Sequence, residues 1–277
     1  MKPNHVAPVV DPDKCLRCGR CITDCVSGAL AADESGVPGW PDAEAAGRCI
    51  GCQHCLAICP VGALSIFGRR PENSAPIGEM PDGEAVLGLI RARRSIRSYR
   101  HESLDPALMK QLLDMLSFVP TGVNDHRLQF CVVDRVEVMD EIRRIVSQRM
   151  LEFLTSPQLP ERFARYTAMA ESLRHGGDPF FRGAPHLIVA CAPADSPCGT
   201  VDPVIALSYF ELYARSLGVG TTWCGLAMVA LGEVAEFRER LRIPEGYIPG
   251  YAMLFGSTPL AYPRSVQPSP CRIVTAG

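Results

Sequence analysis

The alternation of apolar and polar residues after position 82 predicts an α+β domain. Apolar residues recur at helical spacing after Asp82, which can cap a helix, and after Pro106, a favoured first helical residue. Residues 186–192 are continuously apolar over the length of a strand, which is typical of a buried strand. The full pattern predicts helices beginning at residues 82, 106 and 202 and spanning 135–155, 160–174 and 232–241, and strands at 129–134, 186–192, 221–226 and 247–255. We therefore expect a sheet with flanking helices.

The helix that begins at Asp202 is apolar on nearly every side. Asp202 is expected to cap it, Pro203 to occupy its first turn, and Gly218 to end it. A helix without a polar face is expected in a core or at a dimer interface.

The N-terminal stretch has a different pattern, which is dominated by cysteine. Eight of the 13 cysteines form two copies of one spacing, and the copies are Cys15, Cys18, Cys21 and Cys25, and Cys49, Cys52, Cys55 and Cys59. The repeat extends beyond the sulfurs, since CVSGAL at 25–30 is matched by CPVGAL at 59–64. This spacing is the bacterial run for cubane iron–sulfur clusters, which the soft, anionic thiolate suits well.

Residues 10–67 resemble the two-[4Fe–4S] ferredoxin family, in which each half gives three ligands to one cluster and its fourth cysteine to the other. The resemblance implies one cluster held by Cys15, Cys18, Cys21 and Cys59, and a second held by Cys49, Cys52, Cys55 and Cys25. Val26 departs from the family, which usually has a proline there, as at Pro60, but the departure removes no ligand. A pair of zinc sites with four cysteines each is the alternative. Disulfides are less favoured in a chain without a secretory signal.

Charge and composition narrow the possible partners and location. The net charge of −2 gives no reason to expect nucleic acid or an anionic membrane as a partner. No apolar run approaches the roughly 20 residues that a membrane helix needs. The many cysteines fit a reducing compartment, so we expect a cytoplasmic protein.

A second group of motifs follows the cysteines. Arg93, Arg94, Ser95 and Arg97 stand together at a predicted helix end, and paired guanidinium donors match phosphate oxygens. Further motifs follow in order, and they are residues 120–124 (PTGVN), 217–225 (LGVGTTWCG), 243–246 (IPEG) and 262–264 (YPR). Across residues 84–268, this series resembles the nitroreductase family of FMN proteins. The resemblance implies a homodimer with FMN at its interface.

The resemblance also implies a role for individual residues. Binding of the FMN phosphate and ribityl chain falls to Arg93, Arg94, Ser95, Arg97 and the C-terminal Arg264. The resemblance implies that Thr121, Gly122 and Asn124 of one subunit contact the flavin of the other. Backbone N–H groups at the flavin N5 edge fall to Trp223, Cys224 and Gly225. The segment His126-Arg127-Leu128 departs from the Gln-Pro-Trp of many members, and Tyr262 stands where some members have a second basic residue.

Other reactive side chains have simpler interpretations. Cys224 is either a redox thiol beside the flavin or a small core residue, and the second is favoured. Cys131, Cys191, Cys198 and Cys271 lack ligand spacing. His126 is a possible substrate contact, since it is the only one of His126, His175 and His186 near a motif.

These features predict a ferredoxin-like domain at residues 1–70, a linker at 71–83 and a nitroreductase-like domain at 84–277, with residues 31–48 forming a loop between the two cluster halves. The expected function is an oxidoreductase that passes electrons from a donor (reduced ferredoxin, flavodoxin or NAD(P)H) through two [4Fe–4S] clusters to FMN, which reduces a nitroaromatic, quinone or activated alkene. One alternative is direct reduction of FMN by NAD(P)H, with the clusters not serving as the input. Another is a non-catalytic electron carrier or partner-binding protein, and a flavin-consuming or dehalogenating enzyme of the same fold is also open.

Overall fold

The computed structural model describes residues 6–277, which divide into two compact units. Within these residues, the first unit contains the chain up to Met80 together with a short segment, Thr121–His126. The second unit contains Pro81–Pro120 and Arg127–Gly277. The predicted domain limits place Thr121–His126 in the flavin domain by sequence position alone, so its membership in the first unit is a finding of the structure.

The first unit consists of two similar halves. Its elements are β1 (Val9–Val10), α1 (Arg20–Thr23), β2 (Ala31–Ala32), β3 (Pro38–Gly39), α2 (Ala43–Arg48), α3 (His54–Ala57) and β4 (Leu64–Ser65). Strand β1 pairs antiparallel with β4, and β2 pairs antiparallel with β3. Leu30, Leu56, Leu64 and Ile66 form a small core that joins the halves. This core is apolar and buried, and an apolar shell of this kind limits the access of solvent to a metal site.

Residues 31–48 are more ordered than the sequence analysis expects. The predicted loop contains the β2–β3 hairpin and helix α2. Gly36 lies in the turn of the hairpin, and Pro38 and Gly39 form its second strand. The turn is held by the Asp33 carboxylate, which accepts from the N–H groups of Ser35 and Val37 at 2.8 and 2.9 Å. Asp42 then caps α2 by accepting from the Ala45 N–H at 2.7 Å. The stretch is therefore a hairpin followed by a helix and not a continuous loop.

The second unit is an α+β fold built on one sheet. Its elements are α4 (Gly83–Ala92), α5 (Pro106–Asp114), β5 (Gln129–Val133), α6 (Val136–Leu154), α7 (Ala168–Arg174), β6 (His186–Pro193), α8 (Asp202–Ser216), β7 (Gly220–Trp223), α9 (Gly225–Glu233), α10 (Ala235–Arg240) and β8 (Tyr247–Gly256). The strands are antiparallel in the order β5-β6-β8-β7. One face packs mainly against α6, α7, α9 and α10, and the other against α5 and α8. Strand β6, buried on both faces, lies in the middle of this core.

Most predicted elements of the second unit are confirmed, and three need correction. Asp82 caps α4 as expected, with its carboxylate 2.7 Å from the Ala85 N–H. Asp202, however, lies inside the first turn of α8, and Val201 occupies the cap position. The predicted helix at 160–174 is a 3₁₀ stretch, Glu161–Tyr166, followed by α7.

The third correction concerns the end of β7. The strand predicted at 221–226 ends at Trp223, and Gly225–Glu233 forms helix α9, which the sequence analysis does not predict. The sequence of α9, GLAMVALGE, is apolar on every side and therefore shows no helical period. The helix predicted at 232–241 begins later, at Ala235.

Candidate iron–sulfur and flavin sites

The eight repeated cysteines line two separate cavities in the first unit. One cavity is lined by Cys15, Cys18, Cys21 and Cys59. The other is lined by Cys25, Cys49, Cys52 and Cys55. Each cavity thus receives three cysteines from one copy of the spacing and the fourth from the other copy, which is the grouping that the ferredoxin resemblance implies.

The local fold explains how each fourth cysteine is directed across the repeat. Gly28 and Gly62 both have φ of 59°, a left-handed conformation that glycine adopts without strain. The turn brings the Ala29 N–H within 3.3 Å of the Cys25 sulfur, and the Ala63 N–H within 3.2 Å of the Cys59 sulfur. These backbone donors are suited to stabilising sulfur ligands that carry negative charge.

Burial makes several of the cysteines poor acids until a metal binds. It raises the pKa of Cys55 to about 12 and also raises the pKa of Cys21 and Cys49. Cys25 differs: burial alone would raise its pKa, but hydrogen bonds from Ser27 and the Ala29 N–H bring the pKa below its ordinary value. Thiolates form readily beside iron, whose positive charge compensates for the desolvation.

The cysteines suit a cluster by their grouping, four to each cavity, as well as by their chemistry. Within residues 6–277, no three Cys, His, Asp or Glu side chains lie close enough to share a single metal ion. A cubane cluster makes no such demand, because each of its cysteines binds a different iron atom. The residues present therefore fit two [4Fe–4S] clusters.

Segment Thr121–His126 packs beside the second cysteine set. The Asn124 side-chain amide donates to the carbonyl of Ile50, which lies between Cys49 and Cys52, at 3.0 Å. Asn124 Oδ1 also lies 2.8 Å from His126 Nε2, and the His126 N–H donates to the Thr121 hydroxyl at 2.9 Å. Three residues of the segment, Val123, Asn124 and His126, have φ between 48° and 56°, which is strained for non-glycine residues. The segment is thus held in an unusual shape by its own bonds and by Ile50.

In the second unit, the arginine–serine motif lies along β7. Ser95 forms a parallel bridge with Thr221, and the Ile96 N–H donates to the Thr221 carbonyl at 2.8 Å. Gly220 permits this approach, since a Cβ there would lie 2.9 Å from the Ile96 side chain. The Tyr99 hydroxyl donates to the Ile96 carbonyl at 2.8 Å, which fixes the end of the motif. The structure therefore brings Ser95 next to the strand that ends at Trp223.

A buried glutamate connects the motif to the end of β7. Glu211 is only 5% exposed, in the apolar helix α8. Its carboxylate accepts from Arg93 Nη1 at 3.2 Å through Oε1, and from Trp223 Nε1 at 3.0 Å through Oε2. Glu211 belongs to none of the sequence motifs, although an acid among apolar helical residues is a signal for a buried partner.

The remaining predicted residues occupy different environments. The Cys224 thiol donates to the Phe180 carbonyl at 3.1 Å, and burial raises its pKa, so the structure supports the core interpretation. Gly225 is exposed at the start of α9. Arg94 lies 6.0 Å from the ring centroid of Tyr262, as in a weak cation–π contact. Arg97 and Arg264 are exposed.

Comparisons with known proteins find a separate match for each part of the chain. Residues 90–257 match the Nitroreductase family, and residues 7–67 match a 4Fe-4S dicluster domain. The fold is similar to that of a nitroreductase with bound FMN from Bacteroides fragilis (20% identity, 69% of this chain and 98% of that one, TM-score 0.55). It is also similar to a nitroreductase with bound FMN from Desulfitobacterium hafniense (25% identity, 66% and 94%, TM-score 0.53).

A third similar structure is that of an iodotyrosine deiodinase bound to FMN and 3-iodo-L-tyrosine (16% identity, 69% and 99%, TM-score 0.50). A comparison with curated proteins finds no match. Among residues 6–277, none of the helices has the length and apolar character needed to cross a membrane. With its family match extending over more than half of its length, the chain belongs to the nitroreductase family, as an FMN-dependent oxidoreductase with an N-terminal 4Fe–4S dicluster domain.

Proposed function

We propose that this protein takes electrons from an outside donor at two [4Fe–4S] clusters and uses them, through FMN, to reduce an electron-poor organic acceptor such as a nitroaromatic, quinone or activated alkene. The observation that carries the proposal is the pair of cavities, each lined by four cysteines, on a chain whose larger part is a nitroreductase fold. When bound, FMN supplies the hydride chemistry, so the protein needs no acid–base pair of its own. The proposed location is the cytoplasm, and the cysteines among the described residues are all free thiols.

The protein's residues would hold the flavin by its two ends. Arg93, Arg94, Ser95, Arg97 and Arg264 would bind the phosphate and ribityl chain, because guanidinium groups present paired donors to phosphate oxygens. The backbone of Trp223 and Gly225 would face the N5 edge, whereas the Cys224 N–H already donates to the Ala252 carbonyl at 2.9 Å. Glu211 supports both ends, since its carboxylate holds Arg93 and Trp223. It therefore fixes the distance between phosphate-binding and ring-binding groups.

A homodimer forms part of this proposal. Helix α4 has no buried residue, and its Val86 and Ile90 are 42% and 50% exposed. Phe118 is 84% exposed, and Tyr209, on α8 beside α4, is 50% exposed. Apolar groups exposed in this number are typical of a surface that a partner covers. We propose that a second copy covers them and that its segment Thr121–His126 contributes Thr121, Gly122 and Asn124 to the flavin site.

Sedimentation tests the dimer. Wild type is expected to sediment as a dimer, and Phe118→Glu combined with Tyr209→Glu as a monomer with reduced FMN content. Ile273→Glu is the matched control, because Ile273 is 81% exposed in the C-terminal stretch. A monomeric wild type that retains FMN would refute the shared site.

The donor is tested by anaerobic stopped-flow spectroscopy on purified protein whose iron, sulfide and FMN contents have been measured. Reduced ferredoxin or flavodoxin is expected to bleach the clusters before the flavin, and a variant with Cys18→Ala and Cys52→Ala is expected to lose this route. Fast flavin reduction by NADH or NADPH, at the same rate in the variant, would favour direct reduction by a nicotinamide. Protein without flavin bands would instead favour a non-catalytic electron carrier.

A further inference from the structure

The two halves of the ferredoxin unit match closely around their fourth cysteines. Cys25 and Cys59 each accept a hydrogen bond from the N–H four residues later, at 3.3 and 3.2 Å. Three residues after each cysteine stands a glycine, Gly28 or Gly62, with the same φ of 59°. Because the two halves are so alike, a difference between them stands out as specific to one cluster.

The first difference is a hydroxyl group. Ser27 Oγ lies 3.6 Å from the Cys25 sulfur, and the equivalent position in the other half is Val61, which has no donor. A cysteine bound to iron is a thiolate without a proton, so the Ser27 hydroxyl must donate in the loaded protein. The cluster bound by Cys25 thus receives one more hydrogen bond at its fourth ligand than the cluster bound by Cys59.

The second difference is the attachment of Thr121–His126. Asn124 donates to the Ile50 carbonyl, in the loop between Cys49 and Cys52. The matching loop of the first set, between Cys15 and Cys18, has Leu16 63% exposed and Cys18 exposed. The second set also contains the most enclosed of the eight cysteines, Cys55, at 9% exposure. The first set therefore contains an exposed cysteine, Cys18, and the second set is attached to a segment that the proposed function places at the flavin.

We propose that the cluster held by Cys25, Cys49, Cys52 and Cys55 is the one from which electrons leave the ferredoxin unit, and that Ser27 raises its reduction potential. The proposal rests on the proposed function, since it uses the flavin contact of Thr121–His126. Hydrogen bonds to ligand sulfur stabilise the reduced, more negative cluster and so raise its potential. The hydrogen bond from Asn124 to the Ile50 carbonyl connects the loop between Cys49 and Cys52 to Thr121–His126, so it links this cluster, and not the other, to the segment.

The electron balance is simple. In each event, a one-electron donor protein of low potential is oxidised and the first cluster, the one with the exposed Cys18, is reduced. That electron then passes to the second cluster, which reoxidises the first. Two such electrons, with protons from water, complete the reduction of one FMN. No bond between heavy atoms forms or breaks in the ferredoxin unit.

Reciprocal substitutions in the full-length, cluster- and FMN-loaded protein test the tuning. Redox titrations are followed by electron paramagnetic resonance, in which the reduced clusters give a signal and the oxidised clusters do not, and the data are fitted as two one-electron steps. Ser27→Val is expected to lower the reduced-to-oxidised ratio of one cluster, at a fixed potential, by about three- to tenfold; tenfold is about 59 mV for a one-electron couple. Val61→Ser is expected to raise the ratio of the other cluster, and Ser27→Thr to keep the wild-type value. If both substitutions shift the same cluster, or neither shifts any, the tuning role is wrong.

The outlet is tested at Asn124. Asn124→Asp cannot donate to the Ile50 carbonyl, whereas Asn124→Gln keeps an amide. Asn124→Asp is expected to change the paramagnetic resonance spectrum of the cluster whose potential Ser27→Val shifts. It is also expected to slow flavin reduction by pre-reduced clusters at least tenfold, and Asn124→Gln is expected to recover part of this rate. An effect on the other cluster, or an unchanged rate with full FMN content, would overturn the outlet assignment. If the wild type contained no FMN or no clusters, the proposed function itself would be wrong. Failure of the proposed function can therefore be distinguished from failure of the outlet assignment.

Discussion

Glu211 offers a quantitative test of how the candidate flavin site is held together. The carboxylate accepts two hydrogen bonds in a position that is only 5% exposed. Hydrogen bonds to charged groups contribute about 1.5–3 kcal/mol each. The Arg93 side chain is 37% exposed, so its share is reduced by solvent screening to roughly 1 kcal/mol or less. Trp223 Nε1 loses a charged acceptor in a half-buried position, at a cost of about 1–3 kcal/mol.

Glu211→Ala is therefore expected to lower the free energy of unfolding by about 2–4 kcal/mol, measured by anaerobic urea denaturation. Glu211→Gln retains one acceptor oxygen and is expected to cost about half as much. Because Arg93 also loses the group that orients it, the Kd for FMN is expected to rise roughly tenfold, which corresponds to about 1.4 kcal/mol.

The matched control is Glu236→Ala. Glu236 accepts from Arg149 Nε at 2.8 Å on an exposed surface, so its loss is expected to cost less than about 1 kcal/mol and to leave FMN affinity unchanged. If the free energy of unfolding of Glu211→Ala lies within about 0.5 kcal/mol of the wild-type value, the two hydrogen bonds do not stabilise the protein as stated. A stability loss with unchanged FMN affinity would restrict Glu211 to a structural role.

Three further predictions concern the second unit. Burial lowers the pKa of His186, whose Nε2 accepts from the Leu104 N–H. Because the unfolded chain binds a proton near pH 6.5 that the folded protein excludes, the free energy of unfolding should fall as the pH drops below 6.5. In urea titrations, His186→Gln should weaken this pH dependence. Gly220→Ala should destabilise the protein by about 1–3 kcal/mol through its clash with Ile96, whereas Gly88→Ala, which meets no atom within 4 Å in α4, should be neutral or stabilising in the same assay. Iodoacetamide should label the exposed Cys271 and spare Cys224 in the folded protein, as read by mass spectrometry, and early labelling of Cys224 would contradict its buried contact with Phe180.

Local features of the sequence predict most of the fold and both cysteine sets. The ligands of each copy lie within 11 residues, so their spacing alone carries the geometry. The Asp82 cap and strand β6 are equally local, since one depends on a side chain three residues from its target and the other on a continuous apolar run. Helix α9 is missed for the opposite reason, because apolar residues occupy nearly every side of it and leave no period to detect, although only Ala227, Ala230 and Leu231 are buried.

Two site features depend on contacts between residues far apart in the chain, and the sequence does not display these. Glu211 meets Arg93 across 118 positions, and nothing near either residue indicates the other. Asn124 meets Ile50 across 74 positions, and its motif resemblance points only toward the flavin. Local spacing thus reveals metal ligands well, whereas the residues that support a site from a distance require the fold.

The membership of Thr121–His126 in the first unit limits how this protein can be dissected or recombined. A cut in the stretch 68–81 would break the covalent link between the cysteine module and the rest of the chain. It would leave the hydrogen bond between Asn124 and the Ile50 carbonyl intact. A transplanted ferredoxin module ending at Met80 would lack six residues of its own packing, and the donor chain would keep a strained segment without its partner. Exchange of electron sources between such enzymes would therefore require the cysteine module and Thr121–His126 to be moved together, although they are separated in the sequence.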